Sequence, residues 1–171
     1  MLLTFGLSQD YSLDITNEGY VDIGNVLNFD YNDPFSIAFW VKVDSEEEMR
    51  ISNRAACGQA GPEGCHRGYE FFVGTWGIGF RLIHSWPGNM LFVIIPEPLD
   101  DNIWHYVVAT YDGSSDESGV HIYLDNIPIE HSIHTNALSS TIINGLPLRI
   151  GGNGEDAGGS GMIDEASIWD Y

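Results

Sequence analysis

Positive charge is what this chain has least of. Six lysines and arginines face 25 aspartates and glutamates, for a net charge of −19, and Lys42 is the one lysine. Such a surface repels phosphate backbones, which excludes nucleic acid as a partner. Long apolar runs are missing as well. No stretch reaches the roughly 18 residues of a membrane-crossing helix, so direct membrane insertion is not expected. Helical patterning is scarce: the best candidate, Asp44-Ser-Glu-Glu-Glu-Met49, is one acidic turn. Met1-Leu-Leu-Thr-Phe5 has neither the basic start nor the apolar stretch of a secretory leader. The expectation is a leader already removed, excision from a longer parent protein, or another export route.

Cysteine is sparse too. Cys57 and Cys65 enclose Gly-Gln-Ala-Gly-Pro-Glu-Gly, a loop too rich in glycine and proline for helix or strand. The spacing suits a loop-closing disulfide, which would contribute roughly 2–3 kcal/mol in an oxidising setting. The alternative is two free thiols in a reducing compartment. His66 is adjacent, but its spacing matches no usual zinc pattern.

What is abundant points to β-structure. Twenty glycines, eight tyrosines, eight phenylalanines and five tryptophans accompany a hydrophobic fraction of 43%. In Phe35-Ser-Ile-Ala-Phe-Trp-Val-Lys-Val43, alternation puts Phe35, Ile37, Phe39, Val41 and Val43 on one face and Ala38 and Trp40 on the other. Trp104–Tyr111 reads as a second central strand, and Val120–Leu124 with Ile127–Ile129 as a hairpin whose Pro128 marks an edge. Further strands are predicted over Ser12–Ile15, Tyr20–Ile23, Arg50–Ala55, Tyr69–Val73, Gly77–Ile83, Met90–Ile95, Leu146–Ile150 and Met162–Trp169. A dozen short strands without helices predict an all-β, two-sheet antiparallel sandwich, one domain over residues 1–171.

Chemistry-bearing residues fall in loops. Asn153, Glu155 and Asp156 lie in a glycine-rich segment, and Asp164 follows in the last strand. Clustered oxygens with free carbonyls suit Ca2+, which takes six to eight oxygen ligands. Asp14 or Asp22 is the candidate partner of Asp164, and the region 44–67 the candidate partner of the loop. The alternative is a solvated acidic turn. Trp76, Trp86 and Tyr69 sit in or beside glycine-rich or Pro-Gly segments that could expose rings to a sugar, with Arg67 and Arg81 as polar clamps. Trp40, Trp104 and Trp169 read as core. His131 and His134 are expected on opposite faces of a strand, which argues against a shared zinc. No Glu-x-Asp-x-Glu strand, nucleophile elbow or phosphate loop is present, and Asp164 and Glu165 are expected on opposite faces, so catalysis is not expected.

Five motifs taken together resemble a known family. Tyr20-Val-Asp-Ile-Gly24, Phe35–Lys42, Trp104–Gly113, Val120–Asp125 and Gly161-Met-Ile-Asp-Glu-Ala-Ser-Ile-Trp-Asp170 occur in the order of the laminin G-like, concanavalin A-like jelly roll, in its pentraxin-related branch. The resemblance implies calcium near Asn153, Glu155 and Asp156. It departs at Ile15-Thr-Asn17, where the family carries Phe-Asp-Gly, and Cys57 and Cys65 do not match the pentraxin cysteine pair. The expected function is a calcium-dependent, non-catalytic module that binds a glycan or glycoprotein surface. It would serve adhesion or recognition on a secreted or virion-surface protein, attached to a larger parent. The alternatives are a structural or assembly module of a tail, fibre or capsid, and a glycoside hydrolase or polysaccharide lyase of the same fold.

Overall fold

Every strong apolar alternation in the sequence becomes a strand. The computed structural model describes residues 3–4, 12–15, 19–44, 48–53, 66–152 and 160–171. Its strands are β1 (Leu3–Thr4), β2 (Leu13–Ile15), β3 (Tyr20–Gly24), β4 (Phe35–Val43), β5 (Glu48–Ser52), β6 (Gly68–Gly74), β7 (Gly77–Ser85), β8 (Asn89–Ile95), β9 (His105–Tyr111), β10 (Val120–Leu124), β11 (Ile127–Ile129), β12 (Ser132–Asn136), β13 (Leu148–Gly151) and β14 (Gly161–Asp170). One sheet runs β1-β14-β4-β9-β10-β11, with β2 also on β14; the other runs β12-β8-β7-β6-β5-β13-β3. All pairings are antiparallel. The two layers form the sandwich that the patterning predicts and the jelly roll that the resemblance implies.

The core lies between the sheets. Phe35, Ile37, Phe39 and Val41 of β4 meet Tyr69, Phe71 and Val73 of β6 and Phe80 and Leu82 of β7. Phe35 centres an aromatic cluster, stacked on Phe29 at 4.3 Å and edge-on to Tyr111 at 5.8 Å. The outer side of the second sheet carries its own apolar cluster of Phe72, Ile83, Met90 and Phe92. That is why β6 is buried along its whole length: its odd residues fill the core and its even residues are covered from outside.

Two expectations change here. Trp40 is 37% exposed, and Trp104 and Trp169 are half-buried. These three rings belong to the outer side of the first sheet, because the core positions alternate with theirs. The edge strand β12 includes His134 but not His131, and its limits were not predicted. Its sequence Ser-Ile-His-Thr-Asn is mostly exposed and polar, and its only apolar signal is Ile133.

A surface clamp ties β9 to two turns. His105 Nδ1 lies 2.8 Å from Asp125 Oδ2, and Nε2 lies 3.3 Å from Asp101 Oδ2. Partial burial pulls the His105 pKa down, but the hydrogen bonds to Asp125 and Asp101 outweigh it and hold the pKa above the ordinary imidazole value. A raised folded-state pKa stabilises fully below the unfolded value near 6.5, and this contribution is lost as pH rises through the folded value. Thermal melts of the chain and of His105→Gln should differ most near pH 6 and converge above about pH 8. A gap that widens with pH would contradict the clamp.

Candidate functional site

A groove of about 550 Å3 opens on the outer face of the second sheet. It is lined by Glu48, Arg50, His66, Trp76, Arg81, Trp86, Phe92, Ile94 and His134. Strand register builds its floor. Ser52 stands opposite Glu70, Glu70 opposite Arg81, and Arg81 opposite Phe92. In the next row Arg50 stands opposite Phe72, Phe72 opposite Gly79, and Gly79 opposite Ile94. A Cβ on Gly79 would come within 2.1 Å of the Phe72 ring. Glycine is required there because the ring lies across its backbone.

The charges on this floor are knitted together. Arg50 reaches Glu48 at 2.5 Å and Glu70 at 3.2 Å, and Arg81 reaches the other oxygen of Glu70 at 2.9 Å. Glu70 has no exposed surface. A buried carboxylate costs several kcal/mol unless it is paired and hydrogen-bonded, and here two guanidinium groups flank it. The Arg81 guanidinium also lies between two rings, 4.3 Å from the Phe72 centroid and 4.4 Å from Phe92. Trp86 is 5.9 Å away. These contacts hold the planar cation in place at the groove.

The walls are aromatic. Trp76, in the β6–β7 turn, is 71% exposed, and Trp86, in the β7–β8 turn, is 39% exposed. His66 meets Trp86 edge-on at 6.0 Å, and His134 lies over Phe92 at 4.5 Å. Flat exposed rings beside anchored guanidinium and carboxylate groups suit a ligand with apolar faces and polar edges.

The structure brings Trp76, Trp86 and Arg81 of the expected sugar ligands together in this groove. It removes Tyr69, which is fully buried in the core, where its hydroxyl donates to the Leu27 carbonyl at 3.1 Å. Burial pushes its phenol pKa up. The odd-numbered side of β6 faces inward, so the glycine beside Tyr69 does not expose it. Arg67 is also absent from the groove lining. Its Nε donates to the His84 carbonyl at 3.1 Å, which draws the side chain along the end of β7. Sequence reading missed Arg50, Glu48, Glu70, Phe92 and His134. For Glu48, Arg50 and Glu70 the one signal was charge at even positions of otherwise apolar strands, as in Tyr69-Glu-Phe-Phe-Val73.

Of the expected calcium ligands, Asn153, Glu155 and Asp156 lie outside the described residues, as do Cys57 and Cys65. Asp164 is described, and its Oδ1 accepts the Glu165 N–H at 2.7 Å. Among the described residues no three His, Cys, Asp or Glu side chains gather to hold a metal ion. The Asp44 N–H donates to the Ser160 carbonyl at 3.4 Å, which places the ends of the segments flanking 45–47 and 153–159 side by side.

The buried network makes a direct prediction. Glu70→Gln leaves two guanidinium groups without their shared counter-charge and should lower unfolding free energy by about 3–5 kcal/mol in urea titrations. A loss below about 1 kcal/mol would show that the network does not hold the floor.

The chain also has relatives. No curated protein sequence matches it. In fold it is similar to the CBM40 domain of the Ruminococcus gnavus IT-sialidase, with a TM-score of 0.67 and 14% identity over 99% of this chain and 91% of that one. The same domain bound to alpha2,3 sialyllactose matches with a TM-score of 0.65, 13% identity and 98% and 90% coverage. The binding domain of botulinum neurotoxin serotype G matches 98% of this chain over 43% of its own length, with a TM-score of 0.60 and 16% identity. A family model described as the concanavalin A-like lectin/glucanases superfamily matches residues 16–171. With nearly the whole chain matched, and with two antiparallel sheets stacked as the family requires, this protein belongs to the concanavalin A-like lectin/glucanase superfamily, in its laminin G group.

Proposed function

We propose that the chain is a non-catalytic glycan-binding module of an extracellular or virion-surface protein, and that the outer-face groove is its binding site. The observation that carries this reading is the pair of exposed tryptophans, Trp76 and Trp86, flanking a polar floor of anchored arginines and carboxylates. A pyranose ring lays its apolar face on an indole and directs its hydroxyls toward charged edges. Arg50 and Arg81 donate, Glu48 accepts, and the ion pairs keep all three from rearranging when the sugar arrives. That similar domains are described with bound sialyllactose supports the same ligand class here.

Absence of catalysis is part of the proposal. Sugar hydrolysis needs one carboxyl kept protonated and another free to attack or to activate water. Glu48 and Glu70 are both tied up in ion pairs with guanidinium groups, and Glu70 has no exposed surface with which to meet a sugar. The rival of an assembly module predicts self-association or docking on a parent protein without sugar binding.

On a glycan array, the chain should bind a restricted set of oligosaccharides. Trp76→Ala and Trp86→Ala should each weaken that binding about tenfold or more without lowering Tm, since both rings project from turns. An array without a hit, together with self-association in sedimentation, would replace this reading with the assembly one.

Calcium belongs to the proposal on the sequence of Asn153, Glu155 and Asp156 alone, and no sugar contact is routed through it. Millimolar calcium should raise Tm by a few degrees and chelator should reverse the shift, as for any ion that binds the folded state. A Tm indifferent to both would remove the ion from the account.

A further inference from the structure

The sheet face opposite the groove carries a separate recess of about 310 Å3, lined by Trp40, Trp104, Asp164 and Glu165. Its construction starts from strand register. Trp40 on β4 stands opposite Asp164 on β14 and Tyr106 on β9. The Trp40 and Tyr106 rings lie 5.3 Å apart, tilted by 42°. In a regular strand, Glu165 would point into the core, as the alternation predicts. Instead β14 carries a β-bulge between Asp164 and Ser167, and Glu165 takes a left-handed backbone, φ 47°. The extra residue turns Glu165 outward beside Asp164, while Ala166 takes the buried position. The expectation of opposite faces for these two carboxylates is therefore corrected by the bulge.

The charge here contrasts with that of the groove. Among the described residues no guanidinium, ammonium or imidazole comes within ion-pair distance of Asp164 or Glu165. Two carboxylates without an ion-pair partner among the described residues border a tryptophan that is 37% exposed, on a chain of net charge −19. Such a recess repels anions. It also supplies too few oxygens for calcium, with one Asp164 oxygen already holding the Glu165 N–H. What it complements is a cation on an apolar stem: an indole face attracts an ammonium group and packs its methylenes, and carboxylates at the rim neutralise the charge.

We propose that this recess docks a lysine side chain of a partner protein, with its ammonium at Asp164 and Glu165 and its methylene stem over Trp40. The site is distinct from the groove and independent of sugar binding. It lies on the outer face of the other sheet, so a partner and a glycan can be held at once.

The test uses indole 15N–1H NMR of the full chain, titrated with Nα-acetyl-lysine methylamide at constant ionic strength. The Trp40 and Trp104 signals should move saturably while Trp76 and Trp86 stay still. The uncharged norleucine analogue and methyl glucoside should not move them. Glu165→Gln should weaken the lysine effect about threefold or more. Glu165→Gly separates binding from folding: it relieves the positive φ, so it should hold or raise Tm while weakening lysine binding to the same extent. Equal shifts with norleucine or glucoside, shifts spread evenly over all indoles, or an unchanged response in both Glu165 variants would each overturn the assignment.

Discussion

The arrangement on the outer face of the second sheet depends on burying Glu70. A carboxylate without exposed surface is tolerated only where opposite charge and hydrogen bonds replace water. Arg50 comes from β5 on one side and Arg81 from β7 on the other. Three adjacent strands are thereby held in one register. A one-residue slip of any strand would turn its charge into the core. The same constraint holds both arginines in the groove lining, so the device that stabilises the sheet also prepares the surface.

The two outer faces make opposite use of the same residue types. On the groove face, acids and arginines alternate across strands and neutralise one another, and aromatic rings clamp the cation in place. On the far face, a bulge gathers two acids beside a tryptophan, with no cation in ion-pair distance among the described residues. The first suits a ligand that brings hydroxyls, and the second suits one that brings positive charge. One sandwich can therefore present two chemically distinct surfaces, because strand alternation separates each of them from the core by a single layer.

The fold was legible because alternation in β4 runs for nine residues without interruption, and the strand has the limits its pattern predicts, Phe35–Val43. The tryptophans of the groove were legible for a different reason: Trp76 beside glycine and Trp86 beside Pro-Gly mark turns, and turns expose rings. The floor was not legible. In Tyr69-Glu-Phe-Phe-Val73 the glutamate reads as a stray charge, and its partners lie 20 residues before and 11 residues after it. Tyr69 misled because a neighbouring glycine says nothing about which sheet face a strand residue takes. Glu165 was hidden because bulges with a left-handed residue are usually marked by glycine, and here a glutamate occupies that position. Long-range pairing and backbone irregularity, rather than local propensity, set these features.

The central claim is that the anchored groove, and not the strand ends or the opposite sheet, holds the sugar. A crystal structure of the chain with an oligosaccharide chosen by array tests it most directly. The account predicts a sugar ring within about 4 Å of the Trp76 or Trp86 indole face, with hydroxyls on Arg50, Arg81 or Glu48. A sugar bound on the Trp40 face, or held without contact to either groove tryptophan, would contradict it.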